Sequence, residues 1–330
     1  MLNYRNALRP ALNTLFTCPQ SELEAASAVI APEVIWDMCA PVNRLEGRED
    51  VVEQVIMPLR HALTGLHRRD EIFIGGDNIR APGGQWVGAV SHYVGTFNAP
   101  LWGIPPSNRL VFLRAGEFYR VENGRITEAK VIIDLIDLMR QAGLKPIPFE
   151  LGTEMLFPGP ATHDGVCPTT GDGARSLDIV QAMLGALHVY DPETFGSDNQ
   201  TGQGGLWAKD MFWYGPGGIG SNFQWEGFVK DHRAPFLNAF PDRQGGNHYC
   251  RIGDGPYAAV SGWPSMTMTH AGPYLGVPAT GKALTLRVMD FYRCTHTQIA
   301  ENWVLLDYVD LLNQMGVDVI AAANHARATI

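Results

Sequence analysis

The chain has 330 residues, a length typical of two domains of about 150 residues, each large enough to bury its own core. Apolar residues make up 45% and charged residues 18% of the chain, which is typical of a compact globular protein and not of a disordered one. The formal net charge of −9 argues against a nucleic-acid partner, because no basic face is left to contact phosphates.

The cysteines and the N-terminal segment indicate the compartment. The five cysteines are scattered and none forms a C-x-x-C pair, which is typical of reduced thiols and argues against a disulfide framework and a zinc site. The N-terminal segment lacks the apolar core of a signal peptide, and no run of about 18 apolar residues occurs. We therefore expect a soluble, cytoplasmic protein with no membrane partner and no metal.

The first half of the chain predicts helices followed by strands. An aromatic segment at residues 34–41 (VIWDMCAP) precedes a helix predicted over residues 48–63. Runs of β-branched and aromatic residues then predict strands. This half closes with a strand-to-helix passage that contains Asp134.

A segment rich in proline and glycine separates this half from the next. Residues 145–173 contain five prolines and follow neither a period of 2 nor one of 3.6. We assign residues 1–150 to a first domain, 151–172 to a linker and 173–330 to a second domain. The apolar side chains of Phe149, Leu151 and Phe157 suggest that the linking segment packs along the surface.

The second half repeats the same order of elements. An amphipathic helix at residues 177–187 precedes the aromatic segment 211–218 (MFWYGPGG), and a second helix is predicted over about 228–240. Strands follow, and a short helix begins just after Asp307. Residues 113–143 and 286–316 align without a gap at an offset of 173, with 13 of 31 positions identical. The chain is therefore an internal duplication.

Helices followed by antiparallel strands predict the α+β class. We expect two tandem cone-shaped α+β barrels, each a curved, mostly antiparallel sheet wrapped over helices. The mouth of such a cone can hold a small molecule.

Short motifs in the second half carry a family resemblance. They are Ala239-Phe240-Pro241-Asp242, Gly253-Asp254, Thr269-His270-Ala271-Gly272, residues 276–282 (GVPATGK), residues 299–303 (IAENW), Asp307 and Gln314-Met315-Gly316. In this order, across about 110 residues, they resemble the SnoaL-like polyketide cyclases of the nuclear transport factor 2-like superfamily. The first half matches more loosely.

The resemblance implies a cofactor-free cone in which a pocket aspartate acts as acid and base in an intramolecular aldol closure. This role carries over onto Asp307, with His270 as its candidate partner. The first half keeps Asp134 but has Phe97 in place of His270 and Lys130 in place of Trp303. These departures make a second activity there doubtful.

Strand alternation extends the candidate site. Glu301, Trp303 and Asp307 share one face of their strand, and we expect this face to line the cone and to raise the pKa of the aspartate. A helix cap, with Asp310 as partner, is the structural alternative for Asp307.

Further candidates stand beside this pair. The predicted substrate-binding residues are Trp303, Glu301, His248, Trp213, Trp225 and Arg287. Core packing is the alternative for the aromatic residues. For Arg287 and Arg114 the alternative is an ion pair, either with Asp290 or Glu117 nearby in the sequence or with a partner across the sheet. A second site could contain Asp134, Lys130 and Glu128, the last two as an ion pair that closes a pocket.

We therefore expect a polyketide cyclase-like enzyme that acts on a small apolar or aromatic carbonyl compound without a cofactor. An isomerase, a hydratase or epoxide hydrolase-type enzyme, and a non-catalytic protein that binds a small ligand remain the alternatives. The duplicated fold makes a monomer, as an intramolecular pseudo-dimer, as plausible as a homodimer.

Overall fold

The computed structural model describes residues 3–167, 173–197, 200–201 and 204–328. They form two units of the same architecture, each with a six-stranded sheet and helices. The helices of the first unit are α1 (Asn3–Thr17), α2 (Leu23–Ser27), α3 (Arg48–Val51), α4 (Met57–Ala62) and α5 (Leu135–Gln141). Its strands are β1 (Ile30–Met38), β2 (Arg44–Glu46), β3 (Leu63–Asp77), β4 (Gln85–Phe97), β5 (Arg109–Glu122) and β6 (Arg125–Ile133).

The second unit follows the same plan. Its helices are α6 (Ala174–Ala186), α7 (Gln224–Phe228), α8 (Ala234–Ala239), α9 (Tyr308–Met315) and α10 (Val319–Ala328). Its strands are β7 (Trp207–Tyr214), β8 (Asn222–Phe223), β9 (Cys250–Asp254), β10 (Tyr257–Thr269), β11 (Ala283–Cys294) and β12 (Ile299–Leu306). In both units a π-helical turn joins two short α-helices, at Val52–Ile56 and at Val229–Arg233.

The two sheets have equivalent strand orders, β2-β1-β6-β5-β4-β3 and β8-β7-β12-β11-β10-β9. Within each sheet the pair β1–β6 or β7–β12 is parallel and the other pairs are antiparallel. The predicted α+β class and the mostly antiparallel sheet are confirmed. The sheets do not close into the predicted barrels. Each sheet is curved but open, with β2 and β3 at the edges of the first and β8 and β9 at the edges of the second.

The two sheets pack against each other through their outer faces. Phe118 and Phe291 meet there with ring centroids 5.3 Å apart. Gly116 allows a close approach, since a Cβ atom at this position would lie 3.1 Å from Leu305 Cγ. One continuous hydrophobic core therefore runs through both units. The duplicated chain forms an intramolecular pseudo-dimer.

The segment between the units packs along the second sheet. Phe157 is buried, whereas Phe149 is about half exposed. The indole Nε1 of Trp303 donates a hydrogen bond of 2.7 Å to the carbonyl oxygen of Pro158. This segment therefore covers the outer face of β12. None of the helices that the structure describes combines the length and the apolar character that a membrane crossing requires.

Candidate functional site

A cavity of about 130 Å³ opens inside the second unit, between the inner face of its sheet and the helices α6 to α8. Its apolar wall includes Met183, Leu187, Trp207, Trp213, Phe228 and Phe236. Its polar groups include His232, Arg233, Arg243, His248, Asp290 and Asn302. Such an apolar cavity with a few convergent polar groups is typical of a small-molecule site.

The inner face of β12 is not the one predicted from the sequence. Asn302, Val304 and Leu306 line the cavity, so the alternate set with Trp303 points to the outer face. A buried tryptophan suggested the inside of the cone, but the first unit and the linking segment also bury the outer face. Water is excluded from both faces of this strand. The burial of a side chain therefore does not show whether it points to the cavity or to the first unit.

Asp290 on β11 is the carboxylate that lines the cavity. Burial raises the pKa of Asp290 to about 7, and hydrogen bonding from Asn302 and Tyr292 offsets part of this rise. Within the described ranges, Asp290 has no cationic partner within 4 Å. A carboxyl group with a pKa near neutrality can both accept and return a proton.

The equivalent carboxylate of the first unit is buried in an ion pair and does not face a cavity. Glu117 precedes Asp290 by the repeat offset of 173 residues. Its Oε2 lies 2.5 Å from Nη2 of Arg68, and the hydroxyl of Tyr93 donates a hydrogen bond of 2.6 Å to Oε1. The side chains of Glu117 and Arg68 are both fully buried. This pair fills the position that corresponds to the cavity of the second unit.

Gly245 stands where the first unit has Arg68. Arg68 pairs with Tyr93, which in turn pairs with Leu113. The counterpart of Leu113 is Leu286, which pairs with Met266, and the adjacent bridge Gln244↔Thr267 places Gly245 beside Met266. A glycine therefore leaves open the space that an arginine fills in the first unit.

Two histidines on the cavity wall are held neutral. His232 stacks on Trp213 with centroids 4.4 Å apart, and burial lowers its pKa to about 3. Burial also lowers the pKa of His248 to about 3, and Nδ1 of His248 accepts a hydrogen bond from Nε of Arg251. Trp213 and His248 both line the cavity, and their part in substrate binding stays a prediction.

The comparison with protein families agrees with this architecture. The model for the SnoaL-like polyketide cyclases matches residues 11–142 and 204–315, which is most of the chain. The chain belongs to this family. The two matched segments contain the two sheets, so the SnoaL-like match extends to both halves of the duplication.

Solved structures with similarity to this SnoaL-like chain each cover less than half of it. A candidate SnoaL-like polyketide cyclase from Jannaschia sp. CCS1 is 16% identical and covers 42% of this chain and 92% of its own, with a TM-score of 0.33. The candidate polyketide cyclase IdmH from Streptomyces antibioticus is 19% identical. The match covers 43% of this chain and 99% of IdmH, with a TM-score of 0.35. A candidate isomerase from Rhodopseudomonas palustris is 19% identical. The match covers 42% of this chain and 96% of the isomerase, with a TM-score of 0.33. No curated protein shows significant similarity.

Asp307, the aspartate that the SnoaL-like resemblance singled out, lies at the boundary between the units. Its Oδ1 accepts a hydrogen bond of 3.1 Å from the backbone N–H of Asp310, so it is the N-cap of α9. Its Oδ2 accepts one of 3.0 Å from the N–H of Ala40 in the first unit and lies 2.9 Å from Nη1 of Arg287. The predicted place of Asp307 on the cavity wall is wrong, because its side chain points away from the cavity.

Burial raises the pKa of Asp307 to about 6, and Arg287 offsets part of the rise. The predicted direction of the pKa shift is therefore confirmed, although its cause is the boundary between the units. Arg287 pairs with Asp307 at the end of the neighbouring strand and not with Asp290 or Glu117, so the alternative of an ion pair across the sheet is the one present.

Asp134 makes the reciprocal contacts. It caps α5 by accepting a hydrogen bond of 3.0 Å from the N–H of Asp137, and its Oδ2 accepts one of 2.8 Å from the N–H of Gly217 in the second unit. Nε of Arg114 lies 3.0 Å from the same oxygen. Gly217 and Ala40 follow equivalent strands, so each aspartate ties its own helix to the partner unit.

His270 lies apart from both Asp307 and the cavity wall. Its Nδ1 lies 3.0 Å from the hydroxyl of Thr280, and its ring packs against Phe240 with centroids 5.7 Å apart. The structure therefore does not bring the predicted pair of Asp307 and His270 together.

The other predicted binding residues on this strand have structural partners. Glu301 accepts hydrogen bonds from Arg293, from the hydroxyl of Tyr214 and from the N–H of Ala161. Trp303 is fully buried on the outer face. Trp225 packs behind the cavity wall against Trp207 and Phe228. The predicted place of Glu301, Trp303 and Arg287 in the pocket is wrong.

The predicted second site lies between the units. The ion pair of Lys130 with Glu128 is present, with Nζ and Oε1 2.9 Å apart, and Lys130 also pairs with Asp37. Nζ of Lys130 lies 5.3 Å from the ring centroid of Tyr249, which belongs to the second unit. This cluster therefore joins the units and does not close a separate pocket. No group of three side chains suited to a metal ion occurs in the ranges that the structure describes.

Sequence reasoning missed Asp290, which it considered only as an ion-pair partner. One signal could have found it. Glu117 and Asp290 are acidic residues at equivalent positions within strands that are otherwise mainly apolar and aromatic. A carboxylate in a buried strand needs a partner or a function, so both positions were candidates for a site.

Proposed function

We propose that the cavity of the second unit is the site of a cyclase- or isomerase-type reaction in which Asp290 moves a proton. Membership of the SnoaL-like family supports a cyclase- or isomerase-type activity in general. The observation that carries the assignment to Asp290 is the contrast between the two units. Arg68 neutralises Glu117, whereas Asp290 faces a cavity with its pKa raised to about 7 by burial.

Both reaction types begin with the same chemical step. Ionised Asp290 removes a proton from a carbon next to a carbonyl group, and an enolate forms. The enolate then attacks a second carbonyl in a cyclase, or regains the proton at another carbon in an isomerase. Protonated Asp290 returns the proton to the product, so the group ends each cycle as it began. The hydroxyl of Tyr292 donates to ionised Asp290, and once Asp290 holds the proton this hydroxyl is the candidate donor to the enolate oxygen.

The wall chemistry suits a small aromatic or cyclic carbonyl compound. Trp213, Phe228 and Phe236 offer ring faces and edges, against which a planar substrate packs. The enclosed space of about 130 Å³ is close to the size of a cavity that holds one benzene ring. The reacting part of the substrate is therefore about one ring in size.

The test is proton exchange in D₂O with small aryl 1,3-dicarbonyl compounds, followed by NMR. Asp290→Asn removes the base and is expected to lower the exchange rate by about 10²–10⁴-fold. The matched control is Glu117→Gln at the equivalent position, where a folded protein is expected to keep its rate. The wild-type rate is expected to rise with pH through about 7, because the base form of Asp290 is the active one.

Full exchange by folded Asp290→Asn protein would contradict the proposal. Binding of these compounds to the wild type without any exchange would support the ligand-binding alternative. A hydratase or epoxide hydrolase-type reaction, assayed on an enone or an epoxide in labelled water, would instead place ¹⁸O in a new C–O bond, with deuterium at the neighbouring carbon only for the hydratase. The three outcomes are therefore distinguishable.

A further inference from the structure

Two arginines on the cavity wall have no acidic partner in the part of the chain that the structure describes. Arg233 and Arg243 both line the cavity, and Arg233 is almost fully buried. Among the described residues, no carboxylate lies within 4 Å of either guanidinium group. Nη2 of Arg233 donates to the hydroxyl of Ser197, and Nη2 of Arg243 donates to the carbonyl oxygen of Leu187 at 3.3 Å. Both partners are neutral.

This arrangement is electrostatically unfavourable in the empty cavity. Burial, together with the positive charge of Arg243, lowers the pKa of Arg233 to about 10. The rings of Tyr190 and Trp225 lie 5.8 and 5.6 Å from the guanidinium carbon of Arg233 and stabilise it without neutralising it. Nε of Arg233 is buried with no hydrogen-bond partner among the described residues. A buried positive charge beside a half-buried one of the same sign is most stable with an anion bound to both.

The first unit lacks both charges at the equivalent positions. The π-helical turns align Ile56 with Arg233, and the same offset aligns Leu66 with Arg243. Ile56 and Leu66 are buried in the core of the first unit. The two arginines therefore accompany the open cavity and are not a requirement of the fold.

We propose that Arg233 and Arg243 form a carboxylate subsite, so that the substrate of the second unit is a small aromatic or cyclic keto acid. Arginine binds carboxylates through paired N–H donors, which gives both affinity and a defined orientation. A substrate held at this end of the cavity presents its remaining atoms to the rest of the wall, which includes Asp290. The inference rests on the proposed function for its reacting end, but the subsite itself is tested by binding alone.

The probes are benzoate and benzamide, which have nearly the same shape and differ in charge. We expect the wild-type protein at neutral pH to bind benzoate at least about tenfold more tightly than benzamide, since hydrogen bonds between two charged groups are stronger than those to a neutral amide. Calorimetry or the fluorescence of the cavity tryptophans measures both affinities. Equal binding of the two probes by the wild type would overturn the inference.

Arg243→Gln is the informative variant, because Arg243 is only half-buried and its replacement leaves the core intact. We expect it to abolish the preference for benzoate and to leave the binding of benzamide unchanged. Lys209→Gln, an exposed change of the same charge, is expected to keep the preference. An unchanged preference in folded Arg243→Gln protein would overturn the inference.

Two further arms separate the outcomes. Tighter binding of phenyl phosphate than of benzoate would overturn the assignment of a carboxylate. Asp290→Asn is expected to keep the preference for benzoate even where it loses proton exchange. Failure of the subsite and failure of the proposed catalysis are therefore read from different measurements.

Discussion

At the residue scale, two substitutions between equivalent positions account for the difference between the units. Glu117 has Arg68 as its buried partner, whereas Asp290 has Gly245 at the position of that arginine. A buried carboxylate is costly without a counter-charge, and the first unit removes this cost with a full ion pair. In the second unit the buried carboxylate has no counter-charge, and a cavity lies beside it. A buried charged group that destabilises the fold in this way is typical of a functional site.

The contrast predicts that Gly245→Arg closes the cavity. A Cβ atom at Gly245 would lie 3.5 Å from Met266 Cγ, an ordinary contact, so the backbone accepts a side chain there. The new guanidinium is expected to pair with Asp290, as Arg68 pairs with Glu117, and to reduce benzamide binding at least about tenfold. Titration of benzamide measures the loss. Gly245→Ala is the control and is expected to bind normally, and normal binding by Gly245→Arg would contradict the prediction.

At the scale of elements, the closing helices of the two units carry the same double contact. Asp134 and Asp307 each cap the helix that follows and accept a hydrogen bond from a backbone N–H of the other unit. The cap is local and was foreseen from the sequence, because an aspartate precedes the helix in both copies. The bond across the boundary was not foreseen, because Ala40 and Gly217 lie far away in the sequence.

We expect Asp307→Ala to lower the free energy of unfolding by about 2 kcal/mol, the sum of a lost cap and an unpaired buried N–H. Asp134→Ala is expected to cost about the same, about 2 kcal/mol, because the buried Arg114 keeps its second ion pair, in which Nη2 lies 2.7 Å from Oδ1 of Asp137. The side chain of Arg287 is 21% exposed and can regain water. Urea unfolding measures both values.

The same variant tests the catalytic role that the family resemblance assigned to Asp307. The role remains a prediction, and the contacts of Asp307 favour a structural part. Folded Asp307→Ala protein is therefore expected to keep its proton exchange. Loss of exchange without loss of fold would restore Asp307 as the catalytic residue.

At the scale of the whole molecule, the outer faces of the two sheets form a single interior. Gly88 and Gly116 of the first unit lie against Phe291 and Leu305 of the second. Small residues on one sheet and large ones on the other let the two surfaces fit closely. The interface is therefore part of the core, and the two units are expected to unfold together.

Gly116→Val tests this fit. The strand accepts valine by its backbone preference, but the new side chain would overlap Leu305, whose atoms lie 3.1–3.3 Å from the position of a Cβ. We expect a loss of about 1–3 kcal/mol of unfolding free energy, the usual cost of overpacking. Thermal unfolding measures it. Gly185→Ala has open space around its Cβ and serves as the control, and an equal effect of both changes would contradict the close fit.

The duplication, the α+β class and the order of the elements follow from the sequence alone, which also offered the two helix caps as an alternative. These features are local or repeated, so periodicity, capping residues and the internal alignment reveal them. The inner face of β12 and the carboxylate that lines a cavity became known only from the folded chain. The alternation of side chains along β12 places Trp303 and Asn302 on opposite faces. It does not show which face is covered by helices and which by the second sheet. That choice depends on contacts between the units, such as Gly116 with Leu305, whose residues are far apart in the sequence. Asp290 was therefore hidden and Asp307 misplaced, because the pattern along one strand carries no information about what packs on it.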